Sequence, residues 1–174
     1  MDLRPGFPTV VDEVTVRLVA SVVLVIGIVA LVSGAWWLYA VLAVDFILRS
    51  VFGPRLSPIA QFVLRTIRPR VPAAGRPTPG APKRFAASIG AVLTSTATIL
   101  GLVHLATGAG GAATAVFAIG AIMVVFPALE AAAGVCVGCL IFAQLIRLGL
   151  VPERICLDCA DITRRTAVAS GQPA

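Results

Sequence analysis

Four long apolar runs constrain this chain more than any other feature: roughly Val14 to Ser33, Ala35 to Phe52, Phe85 to Ala106 and Ala112 to Ala132. A run of about 20 apolar residues, wound as a helix, matches the ~30 Å hydrocarbon layer of a bilayer. With 59% of its residues hydrophobic and 13% charged, the chain departs far from the usual balance of a soluble domain. The expected fold is an all-α integral membrane protein. Four transmembrane helices form two antiparallel hairpins, joined by a short amphipathic helix and followed by a C-terminal interfacial or half-embedded helix.

The hairpins follow from the turns. Arg17 alone interrupts the first span, near its start, where a long side chain can snorkel to the headgroups. Gly34 ends that span, and Trp36, Trp37 and Tyr39 open the next with rings suited to a membrane interface. Thr107 to Gly111 makes the second short turn. The first run is too long for a cleaved signal and lacks a small-residue cleavage pattern, so it reads as a retained helix.

Charge orients the bundle. The net charge is +6, and seven of fourteen basic residues (Arg55, Arg65, Arg68, Arg70, Arg76, Lys83, Arg84) lie in the single segment between the hairpins. That concentration marks a cytoplasmic loop of a bacterial inner membrane protein and argues against a nucleic-acid face. It puts the N-terminus and the end of the fourth span in the cytoplasm. Within this linker, 53–84, Ser57 can cap and Pro58 can begin a helix whose Ile59, Phe62, Val63 and Ile67 share one face, as if lying on an anionic leaflet. Pro69 to Arg84 is rich in Pro and Gly and reads as a flexible linker. Residues 1–134 thus form a bundle and 135–174 a cysteine segment. Gly134 to Val151 is apolar but carries Gln144 and Arg147, and a fifth span would export Arg154, Arg164 and Arg165.

All four cysteines fall in that segment as two matched pairs, Cys136 with Cys139 and Cys156 with Cys159, in the pattern C-x2-C-x16-C-x2-C. Such spacing fits a structural zinc site held by four thiolates. A two-residue gap equally lets two thiols close one disulfide, and a cysteine at a helix start has its thiolate favoured by exposed amides. Cys136 stands where an apolar helix begins, whereas Cys156 and Cys159 lie on a polar tail able to exchange with the first pair. Small buried thiols that merely fill helix contacts are the bland alternative.

Four stretches carry a family resemblance: VDEVTVR before the first span, VDFILRSVFGPRLSPIAQ at the exit of the second, APKRFAASIG at the entrance of the third, and GVCVGC after the fourth. The chain, up to about Leu148, resembles the uncharacterised bacterial membrane family catalogued as domain of unknown function 4395 (DUF4395). The resemblance implies that the family's CxxC maps onto Cys136 and Cys139, and it implies an association with thioredoxin-like or rhodanese-like sulfur proteins. Similar sequences commonly follow this pair with a lysine and an aromatic, where Leu140-Ile141-Phe142 stand here.

Other residues offer weaker chemistry. Asp45 and Arg49 sit one helical turn apart and can pair inside the bundle, anchoring Arg17 or the loop, or serving a proton or substrate. Glu130 ends the fourth span beside the first CxxC, either as a proton partner for a thiol or as a solvated carboxylate. His104, the only histidine, lies a membrane thickness of ~30 Å from the cysteines. Thr94, Ser95, Thr96 and Thr98 give the third span a small polar surface for close helix approach or a transport path. Pro127 would kink the fourth span. No Walker loop, dinucleotide turn, zinc-protease pair or Ser/His/Asp set is present. The expected function is membrane thiol–disulfide exchange or sulfur relay with no cofactor required. The alternatives are a zinc-stabilised scaffold and a small-solute or sulfur-compound transporter.

Overall fold

The structure, a computed structural model, describes residue 8 and residues 10–150. A short strand β1 (Val10–Asp12) leads into helix α1 (Glu13–Ser33), whose first turn is capped by Asp12. Its carboxylate accepts from the amides of Val14 at 3.4 Å and Thr15 at 3.2 Å. Gly34 closes α1 in the left-handed conformation at φ 68°, which a residue without Cβ adopts at no steric cost. After this tight turn come α2 (Trp37–Phe52), a short α3 (Pro58–Phe62) that continues as one π turn over Val63–Ile67, and strand β2 (Pro77–Pro79). Helix α4 (Gly80–Thr107), helix α5 (Gly110–Ala133) and the shorter α6 (Val137–Arg147) complete the described chain.

Among the described residues, α1, the stretch Trp37–Arg55 containing α2, α4 and α5 are long and apolar enough to cross a membrane. The chain is a multi-pass membrane protein of four spans. Helix α6 has 11 residues, about 16 Å of rise, and falls short of a fifth crossing. Val32, Val92, Ile99, Leu105 and Phe117 are exposed on the outer surface, the inverse of a soluble protein and the arrangement lipid requires.

Inside, α2 packs chiefly on α4 and α1 on α5, so the two hairpins hold each other more than they hold themselves. Lipid gives apolar side chains no reason to leave it, so close fit must supply the attraction. Large side chains therefore sit in glycine notches. A Cβ at Gly90 would meet the Phe46 ring at 2.7 Å, and one at Gly101 would meet Trp36 at 2.9 Å. Pro127 inside α5 has no N–H to give the Met123 carbonyl four residues back. Gly27 of α1 approaches that same carbonyl so closely that a Cβ there would lie 3.0 Å from it.

Three expectations are corrected. Lys83 and Arg84 are helical, because α4 starts at Gly80 rather than Phe85. Pro82 falls in the first turn, where its missing N–H costs no hydrogen bond. The Pro-rich segment is tied down: β2 pairs antiparallel with β1, and Asp12 accepts from Arg68 Nε and from the Arg76 amide, each at 3.0 Å. Residues 58–67 turn Ile59, Ala60 and Val63 into the bundle with Ile67 packed beside them, so the expected apolar face, Phe62 excepted, lies against the bundle instead of on a leaflet. Asp45 decides this, accepting from the Ser57 hydroxyl at 2.6 Å and the Ile59 amide at 2.9 Å.

Candidate functional site

The site forms where α5 ends and α6 begins. Gly134 takes φ 68° and its amide returns to the Glu130 carbonyl while that of Val135 returns to Leu129, which stops α5 and reverses the chain. Two residues later Cys136 is the N-cap of α6, with extended backbone at φ −91° and ψ 108°. Cys139 follows in the first helical turn, and both are free thiols. Gly138 between them is required by packing: a Cβ there would stand 2.7 Å from the Ala86 Cα of α4. The small residue of CVGC brings the start of α6 flush against α4, and the Phe85 and Phe142 rings, 5.4 Å apart, hold the contact.

Helix α4 delivers a residue that the sequence reading left in the basic loop. Lys83 forms an ion pair with Glu130 of α5, with both side chains more than four-fifths buried. Both residues line the same cavity as Cys136. Glu130 is therefore the partner of an ammonium rather than a solvated carboxylate. The signal for Lys83 was its place just after Pro82, in a helix's first turn.

The two thiols are inequivalent. The Cys139 thiol beside it does most to push the Cys136 thiol below the ordinary cysteine range. Burial and the Glu130 carboxylate oppose this, while the Lys83 ammonium and the Cys139 amide reinforce it. Cys139 is pushed up, first by the neighbouring Cys136 sulfur and then by burial. Of the two, Cys136 is the thiol whose ionised form its surroundings favour.

Beside Cys136 lies a cavity of about 270 Å³. Its walls are mainly apolar, including Val23, Gly90 and Met123, and its polar groups include Cys136, Lys83, Glu130 and Arg49.

Asp45 and Arg49 form an ion pair, as expected, and Asp45 is 1% exposed. The pair anchors the loop, through Ser57 and Ile59, rather than Arg17. The Arg49 guanidinium carbon lies 5.0 Å from the Phe46 ring centroid. Arg17 does not reach for headgroups: it donates to the carbonyls of Ala131 and Ala132 at 2.8 to 3.2 Å, capping the end of α5 just before the cysteines. Thr94 is fully buried and Thr98 partly so, and both return their hydroxyls to carbonyls of their own helix. His104 lies 21 positions beyond Lys83 on α4, about 31 Å along the helix, at the opposite end of the bundle. Cys156 and Cys159 lie outside the described residues. Among the described residues no three His, Cys, Asp or Glu side chains come together as a metal site.

No curated protein and no solved structure matches the chain. The family described as a domain of unknown function, DUF4395, matches residues 11–147, from the strand before α1 to the last residue of α6 and so through both described thiols, and the chain belongs to that family.

Proposed function

We propose that the protein is a membrane thiol–disulfide oxidoreductase in which Cys136 attacks and Cys139 resolves. The observation that carries this is the placement of Cys136 at the N-cap of α6, with Cys139 one turn on and the buried Lys83–Glu130 pair lining the same cavity. A thiolate at a helix start gains from the unpaired amides, and a second thiol one turn on is placed to attack the mixed disulfide as it gives up its proton. Cys156 and Cys159, on the polar segment that follows, serve as the relay pair. They carry electrons between Cys136–Cys139 and a thioredoxin-like or rhodanese-like partner. The basic residues between α2 and α4 support an inner membrane orientation with the cysteine end in the cytoplasm.

Trapping tests the reading. Cys139→Ser is expected to accumulate a mixed disulfide on Cys136, and Cys136→Ser to accumulate none. One zinc ion per chain held by all four thiolates, with no disulfide formed after mild oxidation, would overturn it in favour of a metal-stabilised scaffold.

A further inference from the structure

The thiol pair needs a two-electron partner, and the cavity beside it has the chemistry of one. An apolar cavity of about 150 Å³ is enough to take up benzene, and this one is about 270 Å³. A six-membered ring with substituents and the start of an apolar tail therefore fits. Two kinds of donor line it. Lys83 supplies an ammonium, and Arg49 carries a buried Nε that has no acceptor among the described residues. The Lys83 ammonium is met by Glu130, whereas the buried Arg49 Nε is unmet among these residues, and a buried donor without a partner calls for an acceptor. Asp12, Thr15 and Glu130 add polar atoms at the wall, and most of the remaining lining, Val23 and Met123 included, is hydrocarbon. A ligand that suits all of this is flat, apolar in body, and carries two carbonyl oxygens.

We infer that this cavity binds a membrane-borne quinone, which takes the two electrons of the Cys136–Cys139 dithiol. The inference rests on the thiol–disulfide reading above and adds its electron acceptor. Cys136 sulfur adds to the ring, Cys139 sulfur attacks Cys136, and the S–S bond forms as the C–S bond to the ring breaks. The electron pair stays on the ring, and the two protons lost by the thiols end on its two oxygens. Dithiol plus quinone gives disulfide plus hydroquinone, with nothing left over. Lys83 and Arg49 stabilise the oxygens as charge develops on them. A phospholipid acyl chain would suit the apolar depth, but it offers neither acceptor oxygens to the donors nor a place for two electrons.

The test uses the full chain, reduced, freed of reductant and held in detergent, with a decyl-substituted benzoquinone as probe. Quinone absorbance reports its reduction, and mass-shift alkylation reports the thiols. The expected result is one quinone reduced per Cys136–Cys139 disulfide, with the reaction abolished in Cys136→Ser. In Val19→Phe and Ala20→Leu, which fill the cavity, the ratio of quinone reduction to exchange with a soluble aromatic disulfide is expected to fall about tenfold. If the wild type exchanges with the soluble disulfide yet leaves the quinone oxidised, the acceptor is wrong and the thiol reading stands. Loss of both reactions in the wild type sinks both readings. Equal ratios in the wild type and both filled variants place the reaction outside the cavity and overturn the inference.

Discussion

The two ends of this bundle enclose cavities of nearly equal size, about 270 and 240 Å³, yet they are built differently. The turn end is closed by Gly34 and Gly108, both at φ 68°, and its cavity is lined by Trp36, Tyr39, Gly101, Val116 and Phe117, with His104 as its one titratable group apart from the Tyr39 phenol. The cysteine end gathers Asp12, Arg17, Asp45, Arg49, Lys83 and Glu130 around two thiols, and nearly all of these charges are paired or capping a helix. Steric fit holds one end and electrostatics the other. Volume alone says nothing about where chemistry happens; the groups on the wall do.

The comparison breaks most visibly at Asp45. Asp45→Ala strands the Arg49 guanidinium, the Ser57 hydroxyl and the Ile59 amide in a buried site. It is expected to destabilise the fold by about 3–5 kcal/mol. His104→Ala at the exposed turn end should change stability by less than ~0.5 kcal/mol. Unfolding titration in mixed micelles measures both, and similar losses at the two positions would erase the distinction.

Gly138→Ala presses a methyl group against the Ala86 backbone of α4, a contact with no flexible side chain to give way. A cost of about 1–3 kcal/mol, with α6 lifted from α4, is expected. Faster alkylation of Cys136 and Cys139 in the folded variant checks this. At the same end, Ser57→Ala removes the α3 cap, which accepts from the Ala60 amide at 3.1 Å and donates to Asp45, for about 1 kcal/mol.

Lys83→Met sharpens the electrostatic side of the contrast. The ammonium helps hold the Cys136 thiol below its ordinary range, so the variant's alkylation midpoint should move to higher pH and the reaction at pH 7 should slow. Cys139→Ala should move it the same way, since it removes the side-chain donor that is the largest cause of the lowering. An unchanged pH profile in Lys83→Met would mean that the ion pair serves packing alone.

The smallest effect lies at the rim. Burial raises the Asp12 carboxyl, but hydrogen bonds from Thr15, Arg76 and Arg68 outweigh it and hold the group at about 2, against 3.8 for a free side chain. Its folded value is depressed, so its contribution is complete above about pH 4 and is lost as pH falls through about 2. Asp12→Asn should flatten the acid limb of the stability profile in that window. The group is partly exposed, so salt should shrink the difference.

Much of this was legible in the residues. The spans of α1, α2, α4 and α5 lie within a few residues of their apolar runs, since hydropathy and length are local properties that a bilayer reads directly. The caps at Ser57 and Gly134, and the cysteine pair at the start of α6, follow from short-range stereochemistry in the same way. The apolar face of α3 was expected on a leaflet and lies against the bundle because its burial is set by Asp45, 12 positions earlier than Ser57 on another helix. The Pro-rich linker was expected to be loose because its anchor, Asp12, accepts from Arg68 across 56 positions.

The sequence by itself determined four apolar runs of membrane length arranged as two hairpins and a CxxC pair where the last apolar helix begins, while the 11-residue length of α6 settled that this helix is not a fifth span. Only the tertiary structure decided that Lys83 stands with Glu130 across 47 positions, that Arg17 caps α5 across 114, and that an apolar cavity lies beside the Cys136 thiol. The reason is physical. Hydropathy and capping are written in neighbouring residues, whereas the company a side chain keeps depends on which helices pack together and how each is rotated, and no local pattern records that.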